Sequence, residues 1–183
     1  MKINFLGNKS FSLKGKNAKI IFDPTENISE SDFDFATFSN AEEKFESENF
    51  KKIISLPGEF EISQILLTGF FSRPENIVYK AFFEDICFLH LGELEQLPDG
   101  KFFEKLGENI DVIFINLSDK CTKKLAKEII DTIEPRMVFL GGDSSMFPKM
   151  EETFNAKKVE NNFGISKANL SDEKTEILIL DLA

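Results

Sequence analysis

His90 is the only histidine in the chain, and an imidazole is the side chain best suited to act as a general base near neutral pH. The favoured alternative is structural: a core or second-layer histidine at a strand end, hydrogen-bonded to backbone. Glu59 and Glu61 lie two apart; on a strand they share a face and could form an acid–base pair. Cys121 stands at the head of a helical pattern, where the helix dipole favours a thiolate. No second histidine is available as its base, so an inert thiol is expected. Ser10, Ser144 and Ser145 suit turns and caps, because no nucleophile-elbow string surrounds them. Gly141-Gly142-Asp143-Ser144-Ser145 could form an anion-binding nest, and it reads more simply as a strand-to-helix loop.

Composition bounds what these groups can serve. A chain of 183 residues fits one domain, 1–183, and buries roughly 70% of the surface of its unfolded form. No stretch is long and apolar enough to span a bilayer, and the start of the chain lacks the pattern of a signal peptide. Cys87 and Cys121 show no metal-type spacing, which suits reduced buried thiols in a cytoplasmic protein better than a disulfide. A net charge of −10 argues against a nucleic-acid partner, since phosphate binding needs clustered Lys and Arg. The 21 Phe residues, beside many Lys, Asn and Ile, read as compositional bias.

The elements that must position these groups come in two styles. The first third alternates short strands with turns: 2–6, 10–14 and 18–22, the last ending at Asp23-Pro24, then 33–38 and 52–56. Residues 41–50 are charged and suit one short helix. Glu59–Phe70 reads as one long strand after a Pro57-Gly58 turn. Asn76–Phe83 and Ile86–Leu91 form a hairpin across Glu84-Asp85. Asp111–Leu117 is a continuous apolar run, the mark of a strand buried on both faces. Thr122–Ile133 is an amphipathic helix with Leu125, Ile129, Ile130 and Ile133 on one stripe, stopped by Pro135. A strand at 136–140, a helix at Phe147–Phe154 and a strand at Glu176–Leu182 complete the series. Strands first, then strand–helix–strand, imply two packed sheets with helices outside.

Several strings together resemble the metallo-β-lactamase-fold hydrolases, in particular a small bacterial lactonase-like branch. INFLGNKSFSLKGKNAKIIFDP at 3–24 is similar to that family's Gly-His-Ser-x-Phe opening and Ile-x-x-Asp-Pro strand end. PGEFEI at 57–62 resembles its Pro-Gly-Glu-Tyr-Glu segment, and His90-Leu91-Gly92-Glu93-Leu94 its His-Leu-Gly-Asp-Leu. Leu106-Gly107 with Ile110-Asp111-Val112, and Ala126–Pro135, match further landmarks in order. The resemblance implies an α/β (α+β) fold: a four-layer αββα sandwich of two mixed β-sheets, with the 122–133 helix packed on the sheet holding 111–117 and 136–140. It also implies that Glu59 and Glu61 serve a neighbouring loop's backbone, and that His90 is structural.

The family's hydrolytic chemistry rests on histidines and a bridging Asp, which hold two divalent ions and acidify a bound water. By the resemblance those positions fall on Asn8, Phe38, Asn40, Glu42, Glu43, Glu93 and Gly142, with Asp143 beside the last. A further histidine would stand near Phe70-Phe71-Ser72, in a loop that looks shortened. A tetrahedral nitrogen site is therefore not expected, nor bound zinc, nor any other cofactor. A hard-cation site of Glu42, Glu43, Glu93 and Asp143 is chemically conceivable, because Mg²⁺ and Ca²⁺ take oxygen ligands; solvated surface carboxylates are the expected reading. The vestigial cleft is assigned to Asn40, Glu43, His90, Glu93 and Asp143. Three functional classes follow: an inactive family member kept as a binding or assembly module, a hydrolase with a carboxylate site or no metal, and a cleft that binds a metabolite without turning it over. For the first, a protein partner or a second copy is expected, with Phe70 and Phe71 beside Arg73-Pro74 as its anchors or else as core.

Overall fold

Left-handed turn residues cut the chain into strands short enough to build a sandwich. The computed structural model describes residues 1–25, 33–40 and 50–181. The strands are β1 (Lys2–Phe5), β2 (Phe11–Lys14), β3 (Lys19–Phe22), β4 (Phe35–Thr37), β5 (Ile53–Ile54), β6 (Gly58–Ile62), β7 (Ile65–Arg73), β8 (Asn76–Phe83), β9 (Ile86–His90), β10 (Val112–Leu117), β11 (Met137–Gly142), β12 (Lys157–Val159), β13 (Phe163–Gly164) and β14 (Glu176–Leu180). Three α-helices join them: α1 (Gly100–Leu106), α2 (Lys123–Ile133) and α3 (Phe147–Phe154). A six-stranded sheet runs in the order β13-β1-β2-β3-β4-β5, and an eight-stranded sheet in the order β12-β14-β11-β10-β9-β8-β7-β6. Both are mixed: β3, β4 and β5 are parallel, as are β9, β10, β11, β14 and β12, and the other pairings are antiparallel.

The sheets face each other across a phenylalanine core. Phe11 of one stacks on Phe114 of the other with ring centroids 4.6 Å apart, and Phe114 in turn meets Phe88 and Phe139. Each such aromatic pair is worth about 0.5–1.5 kcal/mol beyond its area burial. The phenylalanines that composition alone reads as bias therefore fill the space between the sheets. A smaller apolar cluster of Ile21, Phe33, Ala36, Phe38 and Phe50 lies apart from this core.

α2 begins as expected, with Thr122 accepting from the Leu125 N–H, and ends where Glu134 turns left-handed ahead of Pro135. Its buried residues are Leu125, Ala126, Ile129 and Ile130, and it packs beside β10. α1 was not anticipated; its signal is Asp99, which caps the Phe102 N–H, with Phe102 and Leu106 one turn apart facing inward. Residues 59–70 are not one strand. Ser63 and Gln64 both take left-handed conformations, with φ of 52° and 67°, and fold the segment into the β6–β7 hairpin. The apolar run Ile65-Leu66-Leu67 directly after this turn hid it. Glu84 and Asp85 make the expected tight turn in the same way. The charged segment 41–49, expected to be helical, lies outside the described residues. Among those residues no helix is long and apolar enough to cross a membrane.

Candidate functional site

The sites that matter lie where β1, β4, β9, β10 and β11 deliver their C-terminal loops. The β1–β2 loop is a tight turn: Leu6 N–H donates to Ser10 O and Ser10 N–H to Gly7 O, with Asn8 left-handed at φ 52°. This turn presents Lys9. At the end of β9, Gly92 takes φ 62°, and a Cβ there would collide with Ser39 and with Asn76 Oδ1. Asn76 is buried and holds this corner from three sides. Its Nδ2 donates to Leu91 O (3.0 Å) and Ser72 Oγ (2.8 Å), and its Oδ1 accepts the Glu93 N–H (2.8 Å). The His-Leu-Gly-Glu string is thus read by an asparagine that sequence inspection passed over.

A cleft of about 630 Å³ opens between these loops, lined among others by Asn8, Lys9, Glu93, Asn116, Gly142 and Asp143. The fold thus brings together four positions assigned to the ancestral metal site: Asn8, Glu93, Gly142 and its neighbour Asp143. Glu42 and Glu43 lie outside the described residues. Asn40 is half-buried after β4. Phe38 is buried in the separate apolar cluster. Asp143 is exposed and accepts from the Ser145 N–H at 2.8 Å, so it caps a short 3₁₀ turn at Ser144–Met146. Hydrogen bonds from Ser145 hold its carboxyl below the usual range. The anion-nest string is therefore a capped strand-to-helix loop. Among the described residues no three His, Cys, Asp or Glu side chains are grouped to hold a metal ion.

His90 does not line the cleft. It is fully buried, and its partner is not the backbone, as expected, but the equally buried carboxylate of Asp23: Nε2 to Oδ2 is 2.7 Å. The second Asp23 oxygen accepts the Ser39 N–H at 2.6 Å. Burial alone would raise the Asp23 pKa, but the His90 charge and hydrogen bond, the Lys9 ammonium and the Ser39 N–H outweigh it and hold the carboxyl below its ordinary value. Nε2 then carries the donated hydrogen, and Nδ1 has no protein partner among the described residues. The ring stacks on Phe22 at 5.0 Å and has no path to a substrate. The Asp of the Asp-Pro strand end was visible as a motif, but its pairing with His90 bridges the two sheets and leaves no sequence spacing to read.

The remaining groups fall to structural roles. Cys121 precedes the α2 cap, is buried, and has its thiol pushed up to about 11 by burial. The Cys87 thiol is also raised, chiefly by burial. Glu59 and Glu61 are exposed on the outer face of β6. Asp111, almost fully buried, accepts the Cys87 N–H (2.8 Å), Arg136 Nη1 (2.9 Å) and Lys167 Nζ (2.7 Å), which ties β9, β10 and β11 together. The β7–β8 connection is a two-residue Pro74-Glu75 turn, so the loop that looked shortened is as short as a hairpin permits. Phe70 is half-buried and packs against Phe102, whereas Phe71 is 50% exposed, and both line one surface depression.

The arrangement as a whole is shared with solved structures. A proposed zinc-dependent hydrolase of the metallo-β-lactamase superfamily from Thermotoga maritima superposes with a TM-score of 0.80 at 22% identity, covering 98% of this chain and 99% of that one. The metallo-β-lactamase fold protein YhfI from Bacillus subtilis gives 0.60 at 9% identity, with 98% and 96% covered. An isothiocyanate hydrolase from Delia radicum gut bacteria gives 0.58 at 7% identity, with 97% and 96% covered. At these identities the likeness is one of fold. Comparison with curated proteins gives no match. The profile of the β-lactamase superfamily domain matches residues 2–139, most of the chain, and the chain belongs to that family.

Proposed function

We propose that this chain is a catalytically inactive metallo-β-lactamase-fold protein retained as a binding or assembly module. Phe38 carries the reading. The position where the family's first metal histidine belongs holds an aromatic ring that is 1% exposed and packed with Ile21, Phe33, Ala36 and Phe50. A ring in an apolar cluster offers no lone pair to a metal. The sole imidazole is committed to Asp23, so nothing replaces the lost donor. The described residues thus do not fit a zinc or iron centre. The carboxylate-site hydrolase reading would require Glu42 and Glu43 to join Glu93 and Asp143.

A surface depression that mixes aromatic with polar residues such as Gln96 and Lys101 supports the assembly half of the proposal. Phe71 and Leu97, 50% and 39% exposed, line this depression of about 660 Å³ with Pro57, Pro98 and Phe102. An aromatic anchor beside such a depression suits a second copy or a protein partner. The test is hydrolysis of lactone, thioester, β-lactam and phosphodiester substrates by the purified chain. Metals bring bound water from a pKa near 15.7 to about 7, and a positioned base alone contributes only ~10²–10⁴-fold. Rates at background are expected. Turnover that requires added Mg²⁺ or Mn²⁺ would overturn the proposal in favour of the carboxylate-site hydrolase.

A further inference from the structure

We infer that the Lys9 ammonium takes the place of the metal ions in the old active site, as a built-in counter-ion to the Glu93 carboxylate. The inference rests on the reading that the cleft no longer holds a catalytic metal. Glu93 occupies the position of the family's bridging Asp. Lys9 Nζ stands 2.9 Å from Glu93 Oε1, with the lysine side chain 16% exposed and the glutamate 38%. The same ammonium adds, behind the larger effect of His90, to what holds the buried Asp23 carboxyl below its ordinary value.

The backbone makes this placement a built feature. Lys9 sits in the Gly7–Ser10 turn, whose two hydrogen bonds fix its direction. Asn116 Nδ2 donates to Lys9 O at 3.3 Å, which ties the turn to β10 on the opposite sheet. By the resemblance the imidazole positions fall on Asn8, Phe38, Asn40, Glu43 and Gly142, none of which is cationic. The positive charge beside Glu93 comes instead from Lys9. In the family string Gly-His-Ser-x-Phe, the lysine falls on the residue directly after the lost histidine, so the donor and its replacement are adjacent.

The experiment compares thermal melting of the full chain, Lys9→Met and Lys9→Met/Glu93→Gln, each with and without 10 mM CaCl₂ or MgCl₂ (about tenfold over a millimolar dissociation constant). Lys9→Met should melt lower than the unsubstituted chain and recover by about 3 °C or more when the divalent ion is added. The unsubstituted chain should not respond, because the lysine holds the place, and the double variant should not respond, because the carboxylate is gone. Lys9→Gln, which keeps a hydrogen-bond donor for Glu93, carries the same comparison should Lys9→Met not fold. A Lys9 variant no more responsive to divalent ions than the unsubstituted chain would overturn the inference, as would a double variant that still responds. Stoichiometric metal in the unsubstituted chain would instead sink the reading on which it rests, so the two failures are distinguishable.

Discussion

Replacing His90 by Phe should destabilise the chain severely, and a second substitution should partly repair it. The ring fits: His90 already stacks on Phe22 and lies within 6.4 Å of Phe11 and 6.3 Å of Phe114, so the apolar surroundings accept a phenyl group. What is lost is the donor 2.7 Å from Asp23 Oδ2, in a place where both side chains have 0% exposure. Breaking a buried pair by removing one partner costs about 3–5 kcal/mol, a large part of the ~5–15 kcal/mol that holds a domain folded. In His90→Phe the cost resides in the stranded Asp23 charge. Asp23→Asn added on top removes that charge and tolerates the left-handed backbone at φ 45°. The double variant should therefore be more stable than His90→Phe by at least about 1 kcal/mol at pH 7.5. The pH dependence has a definite sign. In the unsubstituted chain the Asp23 pKa is depressed, so its contribution is present above the unfolded value near 4 and is lost as pH falls through the folded value. In His90→Phe the stranded carboxyl loses its main depressing partner; if its folded pKa rises above 4, stability is lost as pH rises through it. The advantage of the double variant should then shrink toward pH 4.5. Urea unfolding of the three proteins at the two pH values measures this. A loss below about 1 kcal/mol in His90→Phe, or no repair by Asp23→Asn, would refute the buried-pair account.

Phe71→Ser should leave the melting temperature within about 2 °C, since the ring is half exposed, while lowering the mass measured by light scattering if this groove is the assembly surface; a large stability loss at constant mass would make Phe71 a packing residue. Asp111→Ala should cost about 2–4 kcal/mol in urea unfolding, because it leaves the buried Cys87 N–H unpaired and removes the shared acceptor of Arg136 and Lys167; a change under about 0.5 kcal/mol would show those cations finding other partners. Both thiols should resist iodoacetamide at pH 7.5 in the folded chain and react once it is unfolded, Cys121 most clearly with its pKa near 11; fast alkylation of the native protein would contradict the burial.

The sandwich was legible because its signals are local. The continuous apolar run at 111–117, the stripe on α2 and the Glu84-Asp85 turn each announce one element. The ordered strings around Asp23-Pro24 and His90-Leu91-Gly92 announce their assembly. The β6–β7 turn escaped because Ser63-Gln64 adopts left-handed geometry without a glycine or asparagine. The site was legible only in what it lacks. That the resemblance puts histidine positions on Phe38 and Asn8 follows from the order of the strings alone. That Lys9 reaches Glu93 across 84 positions, or His90 reaches Asp23 across 67, depends on how the sheets stack, and no periodicity carries it. The partners of Asn76 and Asp111 were hidden for the same reason: their hydrogen bonds reach backbone groups of other segments.

Elemental analysis of the chain as purified, by mass spectrometry against protein concentration, tests the central claim most directly. Loss of the family's metal chemistry predicts zinc, iron and manganese far below one ion per chain. One or two ions per chain, retained through gel filtration and lost on Glu93→Gln, would contradict it.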